Sequence, residues 1–117
     1  MAINFCVALT TIPSRLKNLE IAIKSINKQT LKPNKIFLNI PYKYKRFPES
    51  SINEKDLENI KKLENVEITR CEDFGPSTKL MGALDKIKNY DCVIIVDDDH
   101  EYNELMCEIF IEEFKIK

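Results

Sequence analysis

The sequence predicts a small α/β domain built on a mostly parallel four-stranded sheet, strand order 3-2-1-4, flanked by helices. Three observations predict it. Short β-branched runs alternate with segments of helical apolar spacing, giving β-α-β-α-β-α-β-α. The run Cys92-Val93-Ile94-Ile95-Val96 is apolar at every position, as a parallel strand covered on both faces requires. The length, 117 residues, supports one core and therefore a single domain, residues 1–117.

Each element follows from local chemistry. Ile3 to Leu9 is β-branched and aromatic and ends before Pro13, which cannot continue a central strand. Ser14 is a candidate N-cap for a first helix carrying Leu16, Leu19, Ile23 and Ile26 and running to about Lys28. Lys35 to Ile40 reads as the second strand, followed by the basic loop Tyr42 to Pro48 without apolar periodicity. Ser50 or Ser51 can cap a helix with Leu57, Ile60 and Leu63 buried, and Val66 to Thr69 is a short third strand. Both glycines, Gly75 and Gly82, fall in the next segment, a turn and then a helix with Leu80, Leu84 and Ile87 as its apolar face. After the fourth strand comes Asp97-Asp98-Asp99, then an amphipathic helix from about Asn103 with Leu105, Met106, Ile109, Phe110 and Phe114 on its core side.

Composition narrows the function. A net charge of −1 from 18 basic and 19 acidic residues is too balanced for an electrostatic nucleic-acid or membrane binder. The basic loop between Tyr42 and Pro48 has aromatics among its charges and reads as a solvated loop or a flank to a pocket. The chain has no run of ~18 apolar residues and no secretory leader pattern at Met1, so a cytoplasmic protein is expected. Its four cysteines lack C-x-x-C spacing and are expected to be reduced core thiols. With a single histidine, His100, and no paired cysteines, any metal must be held by oxygen.

In a 3-2-1-4 sheet the winding reverses between strands one and four, so their carboxyl ends flank the crevice where ligands bind. Thr10 to Arg15 and the aspartates meet there. Three consecutive carboxylates repel one another, and a cation relieves that repulsion. Along an extended chain Asp97 and Asp99 face one side and Asp98 the other. Two such carboxylates suit Mg²⁺ or Mn²⁺, which leave further positions to water and substrate phosphates, so the implied ligand is a diphosphate. The competing reading is an acidic turn in which Asp98 or Asp99 caps the following segment.

Four segments carry a resemblance: Val7-Ala8-Leu9-Thr10-Thr11-Ile12-Pro13-Ser14-Arg15, Ser25-Ile26-Asn27-Lys28-Gln29-Thr30, Asp73-Phe74-Gly75-Pro76-Ser77-Thr78-Lys79-Leu80, and Val93-Ile94-Ile95-Val96-Asp97-Asp98-Asp99. Together they resemble the GT-A glycosyltransferases, family 2-like, over nearly the whole chain. The resemblance implies a Rossmann-like nucleotide-binding half and a D-x-D motif at Asp97 to Asp99. It implies that Thr10, Thr11, Ile12, Pro13 and Arg15 hold the base and ribose of a nucleotide. Asp97 would sit near ribose and metal, Asp99 would bind the Mn²⁺ or Mg²⁺ ion bridging the diphosphate, and Asp98 takes the variable position beside the nucleotide. Lys79 would meet phosphate charge, and Asp73 would accept a hydrogen bond from base or ribose.

Each role has a plainer counterpart. Arg15 can be a solvated first-turn residue, Lys79 can pair with Asp73 at the surface, Asp73 can serve the turn, and Thr10 and Thr11 can satisfy a strand end. His100 reads as an exposed histidine, or as an added metal ligand or sugar contact.

Relatives in that family continue well past the D-x-D with acceptor-side elements and a carboxylate base, whereas eighteen residues follow Asp99 here. The expectation is a nucleotide-sugar-binding half that binds a UDP-sugar, or a GDP-sugar, and transfers the sugar or hydrolyses the donor. Glu101 and Glu104 are the nearest candidates for a base. The alternative is a non-catalytic nucleotide-sugar-binding module completed by a partner chain or by self-association. A phosphatase-like domain ranks third, because such folds place their acidic pair after strand one, where this chain has Thr10 and Thr11.

Overall fold

The computed structural model describes residues 3–116. Four strands, β1 (Phe5–Thr10), β2 (Lys35–Pro41), β3 (Val66–Cys71) and β4 (Cys92–Ile95), form one sheet in the order β3-β2-β1-β4. All three pairings are parallel. The helices are α1 (Leu16–Asn27), α2 (Glu58–Lys61), α3 (Thr78–Met81), α4 (Leu84–Ile87) and α5 (Met106–Ile116), with 3-10 turns at Pro13–Arg15 and Gly75–Ser77. Among the described residues no helix is long and apolar enough to cross a membrane.

Side-chain alternation along β1 produces two cores. Phe5, Val7 and Leu9 join Leu19, Ile23 and Ile26 of α1, Leu57 and Ile60 near α2, and Cys107 and Ile111 of α5 on one face. Cys6 and Ala8 face the other way, where Phe37, Ala83 and Ile87 close a smaller core. The expected α/β architecture, strand order and helices on both faces are therefore present.

Several local expectations are corrected. Ser14 does not cap α1; it lies within the 3-10 turn, and Arg15 occupies the N-cap position without a side-chain bond. Neither Ser50 nor Ser51 starts a helix. Asn53 and Asp56 instead brace that turn reciprocally, each side chain accepting from the other's backbone N–H.

The helix expected after the glycine turn is split at Gly82 and Ala83. Asn39 Nδ2 donates to the Lys79 carbonyl at 2.9 Å, removing the acceptor that a continuous helix would offer Ala83. A Cβ on Gly82 would lie 2.6 Å from the Asn39 Cβ, so the close approach needs glycine. The split turns Ala83 inward and leaves Leu84 exposed.

Strand β4 is an edge strand, and Ile95 is exposed although every position is apolar. The last helix shows the largest departure: Ile109, Phe110 and Phe114 are exposed, while Cys107 and Ile111, four apart, enter the core. Bonds at the helix start set that phase. Gln29 Oε1 accepts from Cys107 N, Gln29 Nε2 donates to the Asn103 carbonyl, and Thr30 N donates to the Glu104 carbonyl.

Candidate functional site

The last rung joining β4 to β1 runs from Val96 N to the Ala8 carbonyl at 3.1 Å. Beyond it the two chains diverge, and the crevice between them opens into a cavity of about 710 Å³. That size suits a drug-sized or nucleotide ligand, for which sites span ~300–1,000 Å³. Four segments supply most of its lining: Thr10 to Ile12 with Arg15, Tyr44 to Phe47, Asp73 to Lys79, and Asp97 with Asp98.

Strand-end alternation sorts the aspartates as expected. Asp98 turns inward and is 3% exposed. Its Oδ2 accepts from the Thr11 hydroxyl at 2.5 Å and lies 3.3 Å from Arg15 Nε, so a buried carboxylate gains both a hydrogen bond and a cation. Thr11 is itself buried, and its carbonyl accepts from the Tyr44 hydroxyl at 2.9 Å. Thr10 donates to the Asn39 carbonyl at 2.6 Å. The loop after β1 is thus held from β2, from β4 and from the basic loop at once.

Asp97 and Asp99 face outward. Lys79 Nζ lies 2.5 Å from Asp97 Oδ1, and that hydrogen bond holds the Asp97 carboxyl below the ordinary carboxylate value. The expected surface partner of Lys79, Asp73, is engaged elsewhere. Tyr102 clamps the Asp97 backbone: its hydroxyl accepts from the Asp97 N–H at 2.8 Å and donates to the Asp97 carbonyl at 3.0 Å. Tyr102 is positioned in turn by its own N–H donating to Ser25 Oγ at 2.9 Å, from α1. His100 Nε2 is 3.5 Å from Asp99 Oδ1.

One ligand atom from each of Asp97, Asp99 and His100 falls within 4.8 Å of the others. Two carboxylate oxygens and one imidazole nitrogen are a donor set that Mn²⁺ accepts readily and Mg²⁺ less fully, so the residues fit such an ion. His100 is both exposed and drawn into the aspartate cluster.

Asp73 braces the glycine turn. Its Oδ2 accepts from Lys45 N at 2.9 Å and its Oδ1 from Gly75 N at 2.8 Å, and the Lys45 bond is the leading reason its carboxyl is held low. Gly75 sits at φ 63°, a left-handed conformation that glycine adopts without strain. Asp73 still lines the cavity, as do Thr10, Thr11, Ile12, Arg15, Lys79, Asp97 and Asp98. Pro13, Asp99, Glu101 and Glu104 are not among the lining residues. Glu101 and Glu104 are exposed and lie outside that lining.

Three contributors were not singled out from sequence. Tyr44 plugs the cavity beside Thr11 although its loop lacks periodicity; Asn39, fully buried within an apolar strand, pins α3; Tyr102 fixes Asp97. Asn39 carried a readable signal, a polar residue between Leu38 and Ile40. Tyr44, Phe47 and Phe74 add aromatic surface, and four lining side chains are basic against three acidic. With Asp98 and Asp97 paired to Arg15 and Lys79, Lys45 and Arg46 leave the cavity tilted toward an anionic ligand.

The structure is similar to the crystal structure of S. aureus TarS 1-349, a glycosyltransferase, with a TM-score of 0.60 and 18% sequence identity. The match covers 95% of this chain and 33% of that one, so the chain spans about a third of the length of that solved protein. At this identity the likeness shows a shared fold alone. No protein-family model and no curated protein matches the sequence.

Proposed function

We propose that the cavity is the donor site of a metal-dependent, GT-A family 2-like glycosyltransferase-type enzyme. It binds a nucleotide-diphosphate sugar, a UDP-sugar in preference to a GDP-sugar, and passes the sugar to an acceptor or to water. The observation that carries this reading is the convergence of the loop after β1, the Asp73 to Lys79 turn and Asp97 with Asp98 on one cavity at the carboxyl ends of β1 and β4.

In this reading Thr10, Thr11, Ile12 and Arg15 form the wall for base and ribose, with the exposed Phe74 supplying a face on which a base can stack. Asp98 keeps that wall in place through Thr11 and Arg15. Asp97, Asp99 and His100 would hold Mn²⁺ or Mg²⁺. An ion held there would supply Lewis-acid stabilisation of negative charge on a diphosphate. Lys79 would add positive charge to the same cavity.

A second reading, a nucleotide-sugar-binding module completed by a partner chain, is favoured by two observations. Glu101 and Glu104 lie outside the cavity, and Ile109, Phe110 and Phe114 leave an apolar face on α5 uncovered.

The test is incubation with UDP- and GDP-sugars in Mn²⁺, Mg²⁺ or EDTA, with free nucleotide and free sugar quantified for the native chain and Asp99→Ala. Metal-dependent nucleotide release that disappears in the variant supports the enzyme, and free sugar identifies water as acceptor. Metal-dependent UDP binding without release supports the module. Neither release nor binding rejects both.

A further inference from the structure

Lys79 is the second residue of α3, and its main chain is fixed, because Asn39 Nδ2 donates to its carbonyl at 2.9 Å. From that anchor the side chain reaches the segment after β4 and places Nζ 2.5 Å from Asp97 Oδ1. The contact joins two segments of the cavity lining, α3 and the chain after β4, since Lys79 and Asp97 both line it. Asp98 cannot take over the ammonium, because its carboxylate is buried against Thr11 and Arg15. Asp73 is braced by two backbone N–H groups at the other end of the turn.

Asp97 therefore faces two cationic demands. It belongs to the Asp97, Asp99 and His100 group whose ligand atoms lie within 4.8 Å of one another, and it already carries an ammonium. A divalent ion and an ammonium sharing one carboxylate repel each other. The lysine is the mobile partner, a point charge on a flexible four-carbon stem with rotatable donors. Once released, it remains in a cavity of about 710 Å³ where a ligand's phosphate oxygens would be the uncommitted anions.

We propose that Lys79 and the divalent cation exchange at Asp97: the cation displaces the Lys79 ammonium, which then bonds the diphosphate of the ligand. This rests on the donor-site reading above and adds to it a coupling between the two ligands. Without the cation, Lys79 stays on Asp97 and the diphosphate loses a donor. With diphosphate bound, Lys79 is drawn away and Asp97 is open to the cation. The coupling is reciprocal, as linkage requires.

The exchange makes opposite predictions for the two ligands. Mn²⁺ binding is measured by the electron paramagnetic resonance of the free ion, and UDP binding by calorimetry with and without Mn²⁺. The proteins are the native chain, Lys79→Met, Lys79→Arg and Lys45→Met, each checked by thermal melting. Without nucleotide, Lys79→Met binds Mn²⁺ about three- to fivefold more tightly, the scale of a partly exposed ion pair removed from competition. UDP with Mn²⁺ binds that variant about tenfold or more weakly, the scale of a lost charge-assisted bond. Lys79→Arg keeps the native Mn²⁺ affinity. Lys45→Met removes a cavity charge outside the pair and leaves Mn²⁺ affinity within about twofold of native.

Unchanged Mn²⁺ affinity in Lys79→Met overturns the exchange, as does an equal gain in Lys45→Met or undiminished UDP binding in Lys79→Met. In those cases the donor site stands. Absence of Mn²⁺ and UDP binding in every protein, the native chain included, overturns the donor site itself.

Discussion

The Thr11 hydroxyl donates to Asp98 Oδ2 at 2.5 Å, tying the loop after β1 to the segment after β4 across 87 positions of sequence. Asp98 is almost fully buried and Asp97, its neighbour, is exposed, so the two should separate stability from ligand binding. Asp98→Ala is expected to cost about 1.5–3 kcal/mol, the range for hydrogen bonds to a charged group. Asp97→Ala removes an exposed pair worth less than ~1 kcal/mol and should instead weaken Mn²⁺ binding. Urea denaturation beside metal titration checks both; equal loss of stability in the two variants would contradict the sorting.

Tyr44 has the same kind of role from the opposite side. Its hydroxyl is the donor to the Thr11 carbonyl at 2.9 Å, and burial raises its ionisation well above the ordinary tyrosine value. Tyr44→Phe keeps the ring and orphans a buried carbonyl, a loss of about 1–2 kcal/mol. Thermal melting with UDP titration is the check, with weaker UDP binding expected as the loop loosens.

The phase of α5 makes a sharper comparison. Ile111 is 1% exposed and Phe110, one position earlier, is 54% exposed. Ile111→Ala should cost about 2–4 kcal/mol through the cavity it leaves. Phe110→Ser should change stability by no more than about 0.5 kcal/mol. Reversed magnitudes in chemical denaturation would place the helix one register away from the phase described.

Burial pushes the Cys6 and Cys107 thiols from 9.0 up to about 11, with the neighbouring Cys92 adding to the rise at Cys6. An unfolded chain ionises these thiols near their ordinary value, whereas the folded chain keeps them protonated. The stability they contribute is therefore full below about pH 9 and is lost as pH rises to about 11, by ~2–3 kcal/mol per thiol. Urea midpoints at pH 8 and pH 10.5 measure it, and Cys6→Ala with Cys107→Ala should flatten the difference. At pH 8 both thiols should also resist alkylation until the protein unfolds.

What sequence conveyed and what it did not divide along the range of the forces involved. The alternation of strands and helices, the turn at Gly75 and the opposed facing of Asp97 and Asp98 are local, and all are present. The split at Gly82 and the rotation of α5 depend on Asn39 and Gln29, residues more than 40 positions distant, whose side chains capture backbone groups of those segments. Apolar spacing in α5 identified an amphipathic helix, yet which stripe meets the sheet is decided by where Gln29 pins its first turn. Tyr44 was equally silent, because a tyrosine in a basic loop has no period to betray its burial.

The Tyr102 clamp on Asp97 protects more than a carboxylate. Val96 N–H points to β1, so the amide and carbonyl of Asp97 point away from it, along the open side of the outermost strand. Unpaired groups in that position invite a strand from another molecule to dock and extend the sheet. One phenol hydroxyl occupies both, accepting from the N–H and donating to the C=O. Tyr102 thereby shortens the sticky margin of the sheet beside the aspartates, guarding the mouth of the crevice against intermolecular strand addition.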